Sequence, residues 1–225
     1  MKILILAAMD KEINLLLNIL DNYKEINKSG INVYCGEAGN KEIYIAKCGI
    51  GKVNSAINTY RLIDTLHPDF LLNSGVAGGA GLPIGTVLVA DKVAYHDVWC
   101  GPGTEYGQAD GLPLFMQPSD HIMNLTSELG KENKIAKGLI CSGDKFISKA
   151  EEIKEIRSNF PEVKAVDMES AAIAQVCCMN NIPFGIIRVV SDTPGEGENI
   201  SQYKNFWNEA PEKTFEVVKF VITHL

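Results

Sequence analysis

Residues 2–8, KILILAA, are apolar at almost every position and stop at the charged DKE of 10–12. A short apolar run bounded by charge reads as a strand buried on both faces. Asp10 is placed to cap a helix whose apolar positions Ile13, Leu16, Leu17 and Leu20 recur at helical spacing. Residues 31–48 read as a hairpin turning at Gly39-Asn40. A helix is predicted over 51–66, then a buried strand over 69–75 running into the glycine-rich bend VAGGAG. Further strands are predicted at 87–98, 137–143, within KAVDM, and at 183–192. Helices are predicted at 119–129, about 149–158, ESAAIAQVCCMN and about 203–222, and 100–113 is a Gly- and Pro-rich loop. Strands alternate with helices, and several strands are apolar at every position. Both faces must then be covered, which predicts an α/β fold: a three-layer α/β/α sandwich with a central mixed sheet, as one domain over 1–225.

In such sheets ligands gather outside the carboxyl ends of the strands. Those ends carry Met9 and Glu12, then GIGK at 49–52, SGVAGG at 74–79, GDKF at 143–146, Asp167-Met168-Glu169, and Ser191-Asp192. Several strand ends thus deliver carboxylates, and others deliver glycine turns that let backbone approach a small ligand. Each acid taken alone has a plainer explanation. Asp192 opens the turn sequence SDTPGEG, Glu169 suits the first turn of a helix, and Glu12 is compatible with an exposed helix face. Asp167 is read as structural and turned away from Glu169.

Charge and cysteine usage narrow the chemistry. The chain has 28 acids against 21 bases, a net charge of −7, and only Arg61, Arg157 and Arg188 as arginines. No basic face for nucleic acid is visible, and no apolar run is long enough to span a membrane. The six cysteines show no CxxC spacing or Cys/His cluster, so no metal site is expected and a reducing, cytoplasmic setting is. GIGKVN lacks the Walker pattern, SGVAGGAG does not spell a dinucleotide fingerprint, and Ser74, Ser142 and Ser191 lack a nucleophile-elbow context. His96 and Asp97, as strand neighbours, should point to opposite faces and are read as structural or interfacial.

AAMDKE at 7–12, CGIGKVNSA at 48–56, NSGVAGG at 73–79, SGDKFI at 142–147, VDMESAAIA at 166–174 and RVVSD at 188–192 follow one another in an order that resembles the 5′-methylthioadenosine/S-adenosylhomocysteine nucleosidases. VDMES followed by RVVSD marks the wider nucleoside phosphorylase/hydrolase superfamily, and Glu12 points within it to the hydrolases. The resemblance implies a nucleoside phosphorylase-like fold, a homodimer, and cleavage of the adenine–ribose bond by water without metal or cofactor. It implies Asp192 as general acid on adenine, and Glu12, held with Arg188, as the group activating water. It implies Glu169 on the ribose hydroxyls, Met168 against the sugar, Phe146 stacked on adenine and the Ile147 backbone at its edge. Met9 and Ile50 would line the 5′ pocket, with Tyr203 or Phe206 as its aromatic, and Val76, Ala77 and Gly78 would follow the ribose and base. Ser191, beside Asp192, completes the set.

The chemistry fits those residue types. Breaking an N-glycosidic bond builds negative charge on the leaving base and positive charge on the sugar, so one acid must protonate the base and one carboxylate must serve the water. A third carboxylate fixes the sugar. The alternatives are a purine nucleoside phosphorylase, an aminofutalosine-preferring nucleosidase, and a nucleoside-binding protein without turnover. Phosphate would call for an arginine clamp, and the first strand and its end carry none. The segment 193–202 is a candidate lid, and Trp99, Tyr106 and Leu112 mark a candidate interface.

Overall fold

The computed structural model describes residues 1–129, 135–196, 198–209 and 212–225. β1 (Lys2–Ala7) runs through the centre of a mixed sheet, parallel to β4 (Lys41–Lys47) on one side and to β5 (Phe70–Gly79) on the other. Its side chains alternate between two cores, as strand geometry requires. Leu4 and Leu6 pack towards α2 (Lys52–Leu66) and α5 (Ser170–Asn180), while Ile3, Ile5 and Ala7 pack towards α1 (Asp10–Leu16) and α7 (Glu212–His224). Helices on both faces of the sheet give the three layers that the apolar strands predict.

β5 pairs with three strands: β1, β8 (Val163–Asp167) through Gly78 and Gly79, and β9 (Phe184–Asp192) over Leu71–Gly78. β7 (Ile135–Ser142) pairs with β8 and with β6 (Val87–Tyr95), and β6 pairs with β9. The pairing β5–β8–β7–β6–β9–β5 therefore closes on itself, a feature that local sequence pattern does not encode. The long β5 absorbs the predicted glycine bend: Val76 and Ala77 pair with β9, Gly79 with β8 and Gly78 with both, so 76–79 remain strand.

Several boundaries differ from the sequence reading for identifiable reasons. β2 (Tyr23–Lys28), antiparallel to β3 (Ile31–Ala38), was not predicted. It is a largely exposed edge strand, YKEINK, and carries no apolar run; charged side chains are the usual protection of such an edge. The N-cap of α1 is Met9, with Asp10 already inside the helix, and α1 passes into a short 3-10 turn at Leu17–Ile19. β6 stops at Tyr95, before His96 and Asp97. The predicted last helix is two helices, α6 (Asn199–Glu209) and α7, and its positions 210–211 lie outside the described residues. α3 (Asp120–Leu129) and α4 (Ala150–Asn159) agree with the predicted spans.

Candidate active site

A cavity of about 310 Å³ opens at the carboxyl ends of these strands. The ends of β1, β5, β8 and β9, the loops after β4 and β7, and Tyr203 of α6 line it. Every predicted site residue except Arg188 is on its wall: Met9, Glu12, Ile50, Val76, Ala77, Gly78, Phe146, Ile147, Met168, Glu169, Ser191 and Asp192. Tyr203 lines the cavity, whereas Phe206 is buried in the core beneath α7, so Tyr203 is the aromatic on this side. The Tyr203 hydroxyl lies 3.3 Å from Met9 Sδ, and its ring meets Phe146 edge-on at 5.6 Å between centroids.

Glu12 is buried and held by backbone. Its Oε2 accepts from the N–H groups of Ala8 and Met9 at 2.9 Å each, and Oε1 accepts from Val76 N–H at 3.2 Å. The local cause is helix capping: an acid in the third position of α1 reaches back over the first turn. Gly75 makes room for it, since a Cβ there would meet Oε1 at 2.8 Å. Burial raises the Glu12 pKa above the ordinary carboxylate value; the Arg188 charge and the three N–H donors pull the other way without cancelling it. A raised pKa makes a stronger base once the proton is gone.

Arg188 lies beneath the cavity, 2% exposed. Its ion pair is with Asp167, at 2.8 Å from both Nε and Nη2 to Oδ2, and its other bonds reach Asn73 Oδ1 and the Ile187 carbonyl. The resemblance holds Arg188 with Glu12; here its bonds go to Asp167, Asn73 and Ile187, and its charge acts on Glu12 from a distance. Asp167 also accepts from Ser142 Oγ at 2.5 Å and from Ser170 Oγ. Such a buried pair is costly to break, on the order of 3–5 kcal/mol when one partner is removed. The sequence reading turns Asp167 away from Glu169, but Asp167 lines the same cavity. β8 ends at Asp167, so strand alternation does not carry past it, and its charge bears on Glu169.

Glu169 is the N-cap residue of α5, and its Oε1 accepts from Gly51 N–H at 2.9 Å. Burial first and the Asp167 charge second push its pKa up to about 7. Such a shift has a consequence for stability. The unfolded chain releases this proton near the ordinary carboxylate value of 4.5, the folded one near 7. The stability tied to it is present below pH 4.5 and is lost as pH rises through 7. Glu169→Gln is therefore expected to raise the melting temperature of the ligand-free protein more at pH 8 than at pH 5. Equal shifts at both pH values in a thermal scan would contradict this.

Asp192 is 2% exposed; Oδ1 accepts from Ser191 Oγ at 2.7 Å and Oδ2 from Asn199 Nδ2 at 3.3 Å. Burial raises its pKa, and the two hydrogen bonds only partly oppose that. Asn199 was not singled out in the sequence. It also donates to the Ile147 carbonyl at 3.3 Å, tying the start of α6 to the 146–147 wall. Its only sequence signal is an Asn at a helix start after a Gly/Glu turn. The candidate lid at 193–202 is pinned here by Asn199, by Thr193 N–H to Gln202 Oε1 at 2.9 Å and by Gly195 N–H to the Ser148 carbonyl at 3.3 Å; Gly197 lies outside the described residues. Among the described residues, no group of three or more His, Cys, Asp or Glu is arranged to hold a metal ion.

The site's geometry can be set beside known proteins. The sequence model of the phosphorylase superfamily matches residues 2–223. A curated 5′-methylthioadenosine/S-adenosylhomocysteine nucleosidase of Lysinibacillus sphaericus is 38% identical over the full length of both chains. The chain belongs to this nucleosidase family. Among solved structures of the family, that of Neisseria meningitidis in complex with methylthio-immucillin-A superposes with a TM-score of 0.94 at 34% identity, covering 100% of this chain and 99% of that one. A futalosine hydrolase mutant from Helicobacter pylori gives a TM-score of 0.92 at 30% identity, covering 100% and 99%. The family's α/β fold with a central mixed sheet is the fold described above.

Proposed function

We propose that the protein hydrolyses the N-glycosidic bond of 5′-methylthioadenosine and S-adenosylhomocysteine, releasing adenine and a thioribose. The observation that carries this reading is the set of four buried carboxylates around one cavity, each in a different setting: Asp167 is paired with Arg188, which leaves Glu12, Glu169 and Asp192 for the substrate. Asp192, whose burial favours the protonated form, gives its proton to adenine N7 as the bond to the sugar breaks. Glu12, anchored by three N–H groups, orients a water and takes its proton as the sugar carbon becomes electron-poor. Glu169 accepts the ribose hydroxyls and fixes the sugar, with Met168 against its face. Phe146 supplies an aromatic face for the purine beside the Ile147 backbone. Met9, Ile50 and Tyr203 bound the 5′ substituent.

The reading is tested by adenine release from methylthioadenosine, adenosylhomocysteine, 5′-deoxyadenosine and aminofutalosine. Turnover of the first two at comparable kcat/KM is expected. Turnover of aminofutalosine alone would move the substrate. No turnover of any of the four, with adenine still bound, would favour a binding protein.

The same reading makes the protein a cytoplasmic homodimer. Val53, Ile57 and Tyr60 on α2, with Ile50 just before it, are apolar and each at least half exposed, and Met179 and Trp99 are also exposed. A second copy covering that face would also close the 5′ end near Ile50. Among the described residues no helix is long and apolar enough to cross a membrane. Ile57→Glu is expected to convert a dimer to a monomer in sedimentation velocity; a wild-type monomer at micromolar concentration would remove the dimer.

A further inference from the structure

Lys52 occupies the first position of α2, where the helix dipole disfavours a cation. Its surroundings supply the compensation. Lys52 Nζ donates to both oxygens of Asp97 at 2.8 Å, and Lys52 N–H donates to Asp144 Oδ1 at 2.7 Å. Asp144 N–H in turn donates to Asp97 Oδ2 at 2.8 Å. Three segments that follow different strands, 49–52, 96–97 and 143–144, are thereby locked together. Within that lock sits Gly51, at φ 90°, a conformation glycine adopts without strain, with Asp144 Oδ1 3.0 Å from where its Cβ would be. Gly51 N–H is the group that donates to Glu169.

We propose that Lys52, Asp97 and Asp144 are positioning residues for the sugar: a polar clasp that aims Gly51 N–H at Glu169 and fixes the carboxylate for the ribose hydroxyls. None of the three is among the residues that line the cavity. The sequence reads Asp97 as structural or interfacial; in the fold its carboxylate pairs with Lys52. The inference deepens the nucleosidase reading and rests on it for its kinetic consequences, but the clasp has a readout of its own.

Asp144→Ala removes the acceptor for Lys52 N–H, while Asp144→Asn keeps an oxygen there. In Asp144→Ala, KM for methylthioadenosine should rise about tenfold, the scale of one charge-assisted hydrogen bond, with kcat within about twofold. Affinity for free adenine, which makes no sugar contact, should not change, and Asp144→Asn should restore most of KM. In the ligand-free protein, carbon-detected NMR of Glu169 should report a titration moved upward by about half a pH unit. The groups bearing on that titration are Asp167, Arg188, Glu12 and Cys48 besides Gly51 N–H, and Asp144→Ala leaves all of those side chains in place. Asp97→Asn, which removes the charge facing Lys52, should move KM and the titration in the same direction and serves if Asp144→Ala does not fold. An unmoved Glu169 titration or an unmoved KM would overturn the clasp, as would an equal loss of adenine affinity. A moved titration in a protein that turns over no nucleoside would keep the clasp and sink the nucleosidase reading.

Discussion

Asp192→Asn is expected to lower kcat for methylthioadenosine by about a thousandfold, within the range of a lost general acid, while adenine affinity changes by no more than a few-fold. The side chain keeps its volume, and its amide oxygen can still accept one of the two bonds now made by Ser191 Oγ and Asn199 Nδ2. What it loses is the proton. Burial raises the Asp192 pKa, so the acid form persists to higher pH than in a free aspartate, and activity should fall as pH rises through that value. Rates of adenine release paired with calorimetric binding check this. A variant retaining a tenth of the wild-type kcat would remove Asp192 from the acid's role.

The second large effect is expected at Glu12. Glu12→Gln should cost about a hundredfold or more in kcat with KM nearly unchanged. The amide oxygen can still accept from Ala8 and Met9, so the first turn of α1 keeps its cap, and the variant should fold. It cannot take a proton from water. Because Glu12 must be ionised to act, and burial raises its pKa, wild-type kcat should fall on the acid side through that raised value. The acid limb should disappear from the residual activity of Glu12→Gln. A limb that stays would assign it to Glu169 or another group.

The site was legible because strand ends are legible. Continuous apolar runs such as KILILA and FGIIRVV announce buried strands, and the polar residues just after them are the ones a ligand can reach. Glu12, Glu169 and Asp192 were found that way, and the family resemblance supplied their roles. Properties set by pairing at long range stayed hidden. Arg188 and Asp167 are 21 residues apart, and nothing in either segment says that their charges meet beneath the cavity. Asn199 carries no pattern of its own and matters because it bridges Asp192 and Ile147. β2 escaped because an exposed edge strand need not alternate, and the closure of the sheet escaped because it depends on β5 serving three partners. The partner of Asp97 stayed hidden in a similar way: β6 has already ended at Tyr95, and Lys52 lies 45 residues away in sequence.

The central claim is that water, activated by Glu12, is the nucleophile. The most direct measurement incubates the purified protein with methylthioadenosine, with and without phosphate, and identifies the sugar product. The account predicts free adenine and unphosphorylated methylthioribose, at a rate indifferent to phosphate. Phosphate-dependent turnover yielding a ribose 1-phosphate would contradict it and give Glu12 a different role.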